Sequence, residues 1–303
     1  MRRYNSIRLR FRTAGIYAVP ESTETVPADA FRFITDLEER MTHYVRFEFE
    51  GSVGYGILDG DMVEVLDGNF MEGAKPAGKQ LKLADVKLLT PVVPPNIICI
   101  GLNYKPHAAE FQMKLPELPL LFIKTTTSLA DPEQEIVLPK IAPDHVDYEG
   151  ELVIIIGKTA KNVSEEEAED YIFGYTIAND VSARDCQTII DSQWARGKSF
   201  DTFCPMGPAA VTGIDANHLH ICTRLNGKTM QDSNTEYLIF DPRKLVSFIS
   251  HNMTLLPGTV ILSGTPGGVG FKRVPPVFMK AGDTVEIEIE NIGILRNTVV
   301  EEK

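Results

Sequence analysis

Three acidic residues carry the sharpest chemical signal in this sequence. The run Asp147-Tyr-Glu-Gly-Glu-Leu-Val-Ile-Ile-Ile-Gly157 sets Glu149 and Glu151 two positions apart at the head of an apolar stretch. On a strand such residues share a face, so both carboxylates align with Val153 and Ile155, whose side chains belong in a core. Two inward-directed carboxylates repel each other and are costly to desolvate unless a cation compensates them. Oxygen ligands alone suit a hard cation, Mg²⁺, Mn²⁺ or Ca²⁺, rather than zinc. A third ligand is required, and Asp180 ends the next expected strand, 174–179. Were the two strands parallel neighbours, Glu149 and Asp180 would lie roughly 25 Å apart. A shared cation therefore demands strands that are antiparallel or cross, which argues against a doubly wound sheet. On residue types alone, surface acids at an exposed strand edge are an equal alternative.

Other residues could serve the same chemistry. His107 and Glu110 face one side of a helix, and a carboxylate beside an imidazole fixes its tautomer and raises its basicity, as a general base needs; a surface His–Glu pair has the same spacing. Arg184 and Gln187 share a helical face beyond Asp180, offering donors to a substrate carboxylate or carbonyl, or clamping the fold. The turn Gly264-Thr-Pro-Gly267 follows a strand over 259–262; its hydroxyl and N–H groups could receive a carboxylate, or it could simply end the strand. The Gly197-Lys-Ser stretch lacks P-loop spacing. Gly264 to Gly270 lacks a dinucleotide fingerprint, and no G-x-S-x-G elbow of a serine hydrolase is present.

The elements that must position these residues are mainly strands. Residues 1–40 lack turn-separated strands and read as a tail with one short helix near 28–41. From His43 the text alternates through Val45, Phe47 and Phe49, then Val53, Tyr55 and Ile57, then Met62 and Val65, with Gly- and Asp-rich breaks at 50–52, 59–61 and 67–69. This is the pattern of an antiparallel meander, a small β subdomain over 41–90. Pro91, Pro94 and Pro95 form a stiff linker into a main domain over 91–303. There, strands are expected over 149–156, 174–179, 209–211, 220–225, 259–262 and 284–289. One helix should start at Ser164, with Glu167 completing a capping box, and end before Gly174. Another should span 241–252.

Composition narrows the class. The 303 residues are 43% hydrophobic and 24% charged, close to the globular average. Thirty basic against 42 acidic residues, a formal charge of −12, excludes an ordinary nucleic-acid footprint. Cys99, Cys186, Cys204 and Cys222 show no C-x-x-C spacing and read as buried free thiols in a reducing compartment. No apolar run approaches the ~20 residues of a membrane helix. Arg2, Arg3, Arg8, Arg10 and Arg12 stand in an acid-free opening with the composition of a mitochondrial transit peptide, or of a plain basic tail. The expected location is mitochondrial or cytoplasmic.

Six motifs in order resemble the fumarylacetoacetate hydrolase family across roughly residues 91–300. They are Gly101-Leu-Asn-Tyr-Lys-Pro-His107, Tyr148-Glu-Gly-Glu-Leu152, Asp180-Val-Ser-Ala-Arg-Asp-Cys-Gln187, Gly197-Lys-Ser-Phe-Asp201, Phe203-Cys-Pro-Met-Gly207 and Ser263-Gly-Thr-Pro-Gly267. The runs RGKSFDTFCPMGP and FKRVPPVFMKAGD are most similar to its mitochondrial domain-containing type 2 branch. The resemblance implies a mixed α/β, β-rich fold, a β-roll or barrel with short helices, preceded by the small antiparallel β subdomain. It also implies a homodimer and Mg²⁺ or Mn²⁺ held by Glu149, Glu151 and Asp180. His107 and Glu110 would move a proton from an active-site loop, Lys198 would enter the site to balance developing charge, and Arg184, Gln187 and Thr265 would meet substrate. Pro106 and Ser263 depart from the family's more common acidic residue and Thr. The activity implied is metal-dependent chemistry on a small 2-oxo acid or its enol: oxaloacetate-type enol–keto tautomerisation, or C–C hydrolysis of an acylpyruvate or fumarylacetoacetate-like diketo acid. β-Oxo acid decarboxylation and a non-catalytic metal-binding relative are the alternatives.

Overall fold

The computed structural model describes residues 41–303 except 111–113. The expected tail, and the helix near 28–41 but for its last residue, lie outside the described residues.

The alternation after His43 folds as an antiparallel meander of β1 (Thr42–Phe49), β2 (Ser52–Asp59), β3 (Met62–Leu66) and β4 (Pro76–Lys82). Val45 and Phe47 are buried, as the period of two requires. In β3 it is Val63 rather than Met62 that is fully buried, because its side chain settles over Gly56 of the neighbouring strand. A short β5 (Lys87–Leu89) returns to pair with β1.

The body begins with β6 (Ile97–Gly101), a short helix α1 (Lys105–Glu110) and β7 (Leu120–Lys124). Three brief strands follow, β8 (Leu129–Ala130), β9 (Ile136–Leu138) and β10 (Val146–Asp147). Next come β11 (Gly150–Ile156), β12 (Ile172–Asn179) and β13 (Ser182–Ala183). After them stand the one-turn helix α2 (Ala195–Lys198) and β14 (Cys204–Thr212). The chain closes with β15 (His220–Leu225), β16 (Lys228–Asn234), α3 (Pro242–Asn252), β17 (Val260–Leu262), β18 (Thr284–Ile289) and β19 (Gly293–Glu301). The large sheet runs β4-β3-β2-β1-β14-β12-β11-β17-β6-β7, and a second sheet runs β16-β15-β18-β19-β9. The sheet is open from β4 to β7, so the described fold contains no closed barrel. The meander is hydrogen-bonded onto the body where β1 pairs with β14, from Thr42↔Thr212 to Tyr44↔Ala210.

β11 is the middle of the structure. Every residue in it is buried, and antiparallel partners flank it on both sides, β12 and β17. Leu152, Ile154 and Ile156 enter one hydrophobic cluster, while Val153 and Ile155 enter another with Cys99, Phe122, Cys204 and Leu262. At ~1.5–3 kcal/mol for each large apolar side chain taken from water, this strand is held firmly enough to carry unfavourable charge at its head.

Two expectations need correction. The helix from Ser164 is only a 3₁₀ turn, Ala168–Tyr171, and β12 already starts at Ile172. The capping box does form, with Glu167 N donating to Ser164 Oγ and Ser164 N to Glu167 Oε2, both at 3.3 Å. Beyond it the like charges of Glu165, Glu166, Glu169 and Asp170 crowd one turn, and Tyr171-Ile-Phe favours a strand. β14 is longer than its expected core because Pro205 and Pro208 mask it; its register against β12 shifts near Gly207, where a proline can be accommodated. By contrast α3 matches its expected span, with Asp241 as N-cap accepting from Lys244 N.

Candidate active and metal site

Antiparallel pairing of β11 and β12 brings Gly150 opposite Asn179, so Glu149 and Asp180 leave the ladder side by side. Asp180 N donates to Glu149 O at 2.8 Å, and Asn179 Oδ1 accepts from Glu149 N at 3.0 Å. Glu151 lies across from Ala178 on the face of Val153 and Ile155. The three carboxylates are all buried and converge, with one oxygen of each lying within 4.8 Å of the others.

Cations surround this cluster unevenly. Lys198 Nζ donates to Glu149 Oε2 at 2.7 Å and to Asp180 Oδ2 at 2.6 Å. Lys124 Nζ donates to Asp180 Oδ1 at 2.7 Å and to Val181 O at 3.3 Å. Arg184 reaches Glu149 Oε1 at 2.7 Å and Asp147 Oδ2 at 2.9 Å through Nη2, while its Nη1 donates to Gln187 Oε1 at 2.8 Å. Among the described residues Glu151 has no such partner; it accepts from Gly264 N at 2.7 Å. Burial pushes Glu149 up, but Lys198 and Arg184 outweigh it and hold its carboxyl below the usual range. Burial, then repulsion from Asp180 and Glu149, pushes Glu151 well above that range. Four buried carboxylates, counting Asp147, face three cations.

That imbalance is what a divalent cation would correct, and the donor set is all oxygen, as a hard ion prefers. The surroundings also leave room for its hydration. The Tyr104 hydroxyl, Asn179 Nδ2 and Ser263 Oγ are buried without a hydrogen-bond partner among the described residues. Glu151 contributes to raising the Tyr104 pKa, after burial. Orphaned polar atoms of this kind mark an ion or ordered water. The residues present therefore fit a divalent cation.

The cluster opens on a cavity of about 150 Å³ lined by Glu149, Glu151, His107, Lys198, Arg184, Gln187 and Thr265 on its polar side. All the expected site residues except Glu110 and Asp180 are in its wall. Asp180 lies behind Lys198. Glu110 holds His107, with Oε2 3.2 Å from Nδ1, and itself accepts from Gly268 N at 3.3 Å. Arg184 precedes a π-helical turn, Asp185–Ile190, which sets Gln187 beside it. Its guanidinium donates to Asp147, Glu149 and Gln187 while lining the cavity. The Thr265 hydroxyl donates to Gly150 O at 3.0 Å and accepts from Gln231 Nε2 at 2.7 Å.

Comparison with known proteins agrees with this layout. Residues 96–300 match the model described as fumarylacetoacetate (FAA) hydrolase C-terminal, and 42–91 match one described as Rv2993c-like, N-terminal. The chain belongs to the fumarylacetoacetate hydrolase family. Among members of this family it is 48% identical to an uncharacterized protein of Methanocaldococcus jannaschii, over 80% of this chain and 97% of that protein. It is 46% identical to the mitochondrial oxaloacetate tautomerase fahd2 of Xenopus laevis, over 73% of this chain and 70% of that one. The crystal structure of 2-hydroxyhepta-2,4-diene-1,7-dioate isomerase from Mycobacterium marinum superposes with a TM-score of 0.78 at 39% identity, covering 86% of this chain and 99% of that chain. The chain is thus an enzyme-family member with a β-rich fold and a carboxylate cluster able to bind a divalent metal.

Four site residues escaped the sequence reading. Lys124 shares the inward face of β7 with Phe122, a position that alternation could have exposed as a buried lysine. Asp147 was in view in the same acidic run; besides Arg184 it accepts from Tyr148 N, Gly270 N and Phe271 N at 2.8–2.9 Å. Gln231 on β16 accepts from Gly150 N at 3.0 Å and donates to Pro266 O at 2.9 Å. Asn103 donates to Ser263 O and Phe240 O and accepts from Phe240 N, pinning the loop before α1 to the turn after β17. Nothing local in the sequence announces either tie.

The shared hold on Asp180 generates a prediction. Lys124→Met removes one partner of a buried ion pair and should cost about 3–5 kcal/mol without divalent cation, with part of the loss restored by saturating Mg²⁺. Denaturant midpoints with and without Mg²⁺ measure this. Identical losses under both conditions would show that Lys124 and the cation do not share Asp180.

Proposed function

We propose that this protein catalyses enol–keto interconversion of a small 2-oxo acid of the oxaloacetate type, with Mg²⁺ as its ion. The observation that carries this reading is the convergence of a buried three-carboxylate cluster, a lysine and a His–Glu pair on one small cavity. Names of relatives such as the Xenopus laevis oxaloacetate tautomerase point the same way.

Glu149, Glu151 and Asp180 would hold the ion. When bound, it supplies Lewis-acid stabilisation of negative charge on the oxygens of a 2-oxo acid. His107 removes or returns the proton at C3, with its ring held at Nδ1 by Glu110. Glu110 fixes the ring and is itself fixed by Gly268 N. Lys198, held by Glu149 and Asp180 and lining the cavity, would balance charge developing on the 2-oxo oxygen. Gln187 offers its amide N–H₂ to the substrate carboxylate, since its oxygen is taken by Arg184. Arg184 acts by orienting Glu149 and Gln187. Thr265 would meet substrate through its backbone N–H, because its hydroxyl proton is held by Gly150 O.

Hydrolysis of an acylpyruvate is the second reading. It is favoured by the same His107–Glu110 pair, which could equally activate water. NMR of oxaloacetate, acylpyruvates and fumarylacetoacetate with protein and Mg²⁺ separates the chemistries by product: exchange, cleavage or CO₂ loss. Absence of all three would remove the enzymatic reading and leave a metal-binding relative.

A homodimer is the proposed assembly. Ile123 on the outward face of edge strand β7, and Ile189 and Ile190 in the turn after Arg184, are exposed apolar side chains that a partner copy would cover. A monomeric mass in solution would exclude it. A mitochondrial location is supported by the Arg-rich opening and by the word mitochondrial in the Xenopus laevis relative's name. No described helix is long and apolar enough to cross a membrane.

Two outcomes test the site. Asp180→Ala should abolish turnover and weaken Mg²⁺ binding measured by calorimetry while the β-sheet circular dichroism persists; activity that survives exhaustive chelation would remove the metal assignment. His107→Ala should depress acylpyruvate hydrolysis by ~10²–10⁴-fold, the scale of general-base catalysis. Oxaloacetate exchange should suffer less, because Lys198 can partly supply the proton. Equal losses in both assays would mean that one base serves both reactions.

A further inference from the structure

The short helix α2 places two very different side chains on one face. Lys198 in its last position reaches Glu149 and Asp180, and Trp194 at its N-cap lies four residues earlier on the same side. Both line the cavity. The helix cannot slide: a Cβ at Gly197 would come within 2.8 Å of Gln187 N and 2.9 Å of Ala183 O, so its backbone lies directly on the preceding turn.

The indole is fixed as well. It meets the Phe122 ring edge-on with centroids 5.4 Å apart. Its other side lies against the backbone of Gly101, where a Cβ would fall 2.7 Å from the ring. Leu102 and Leu120 complete that wall. The cavity is thus lined by the carboxylates and Lys198 and by an apolar wall of Trp194, Phe122, Leu102 and Leu120. Its volume of about 150 Å³ falls below the ~300–1,000 Å³ of pockets for drug-sized ligands.

We infer that Trp194 is the specificity-determining residue of this site and limits how far a 2-oxo acid extends beyond C4. The inference rests on the function proposed above. An acid held by its 1-carboxylate and 2-oxo oxygens at the carboxylate cluster directs C3 and C4 along the cavity. A short acid ends before the indole, whereas a longer acyl tail meets it.

The test compares wild type, Trp194→Phe and Trp194→Ala, all with Mg²⁺, on oxaloacetate and on 2,4-dioxo acids of increasing acyl length. For wild type, kcat/KM should fall as the tail lengthens. Trp194→Ala should raise the ratio of long to short substrates by about 10-fold or more, the effect of relieving one steric contact in an apolar pocket, with Trp194→Phe between. An unchanged ratio in both variants overturns the inference. Binding gives a readout without chemistry, because Trp194 is the only tryptophan in the chain. N-alkyl oxamates, unreactive mimics of the acid, should change its emission and bind wild type more weakly as the alkyl group grows. Equal affinity along that series also overturns the inference. Length-dependent binding with no turnover of any 2-oxo acid supports it and removes only the reading of function.

Discussion

The head of β11 concentrates more buried carboxyl groups than the described residues pair with cations. Asp147, Glu149, Glu151 and Asp180 are all withdrawn from water, and Lys124, Arg184 and Lys198 are spent on three of them. Glu151 is left with a backbone N–H and the repulsion of its neighbours. Low dielectric magnifies both sides of this balance: the ion pairs tighten, and the uncompensated carboxylate becomes expensive. The rest of the fold can be understood as what makes such a site tolerable. An all-buried central strand with antiparallel partners on both edges supplies the apolar stability that the charges consume.

Much of this was legible from residue spacing. Glu149 and Glu151 announced a shared face with Val153 and Ile155, and the need to reach Asp180 required strands that are antiparallel or cross; β11 and β12 are antiparallel. That deduction held because the side-chain period of a strand is fixed by covalent geometry. The meander, α3 and the β15 and β18 spans were legible for the same kind of reason: local pattern and local capping decided them. Where local preference was divided, as in the acidic stretch after Ser164, the neighbouring strand-forming residues won.

Long-range polar ties were not legible. Asn103 stands in the motif Gly101–His107 and Gln231 in plain polar text, but neither position announces its partner: each bridges segments distant in sequence and is fully buried. Lys124 illustrates an intermediate case. Its place on the inward face of β7 follows from alternation with Phe122, but only the rolled sheet shows that Asp180 lies within its reach. Arg184 was open to two readings, substrate donor or clamp, and it both lines the cavity and pairs with Asp147, Glu149 and Gln187.

The spacing of these ties along the chain bears on how the protein acquires its ion. Asn103 binds Ser263 across 160 residues, Gly264 binds Glu151 across 113, and Gly270 binds Asp147 across 123. The donor set together with the groups that orient it is spread over residues 103–270. Contacts of such separation form late and slowly, because loop closure must be met before they contribute. Any cation affinity of the cluster should therefore be acquired near the last step of folding, so that a nascent or partly folded chain passes through synthesis without sequestering a metal that the finished cluster is able to bind.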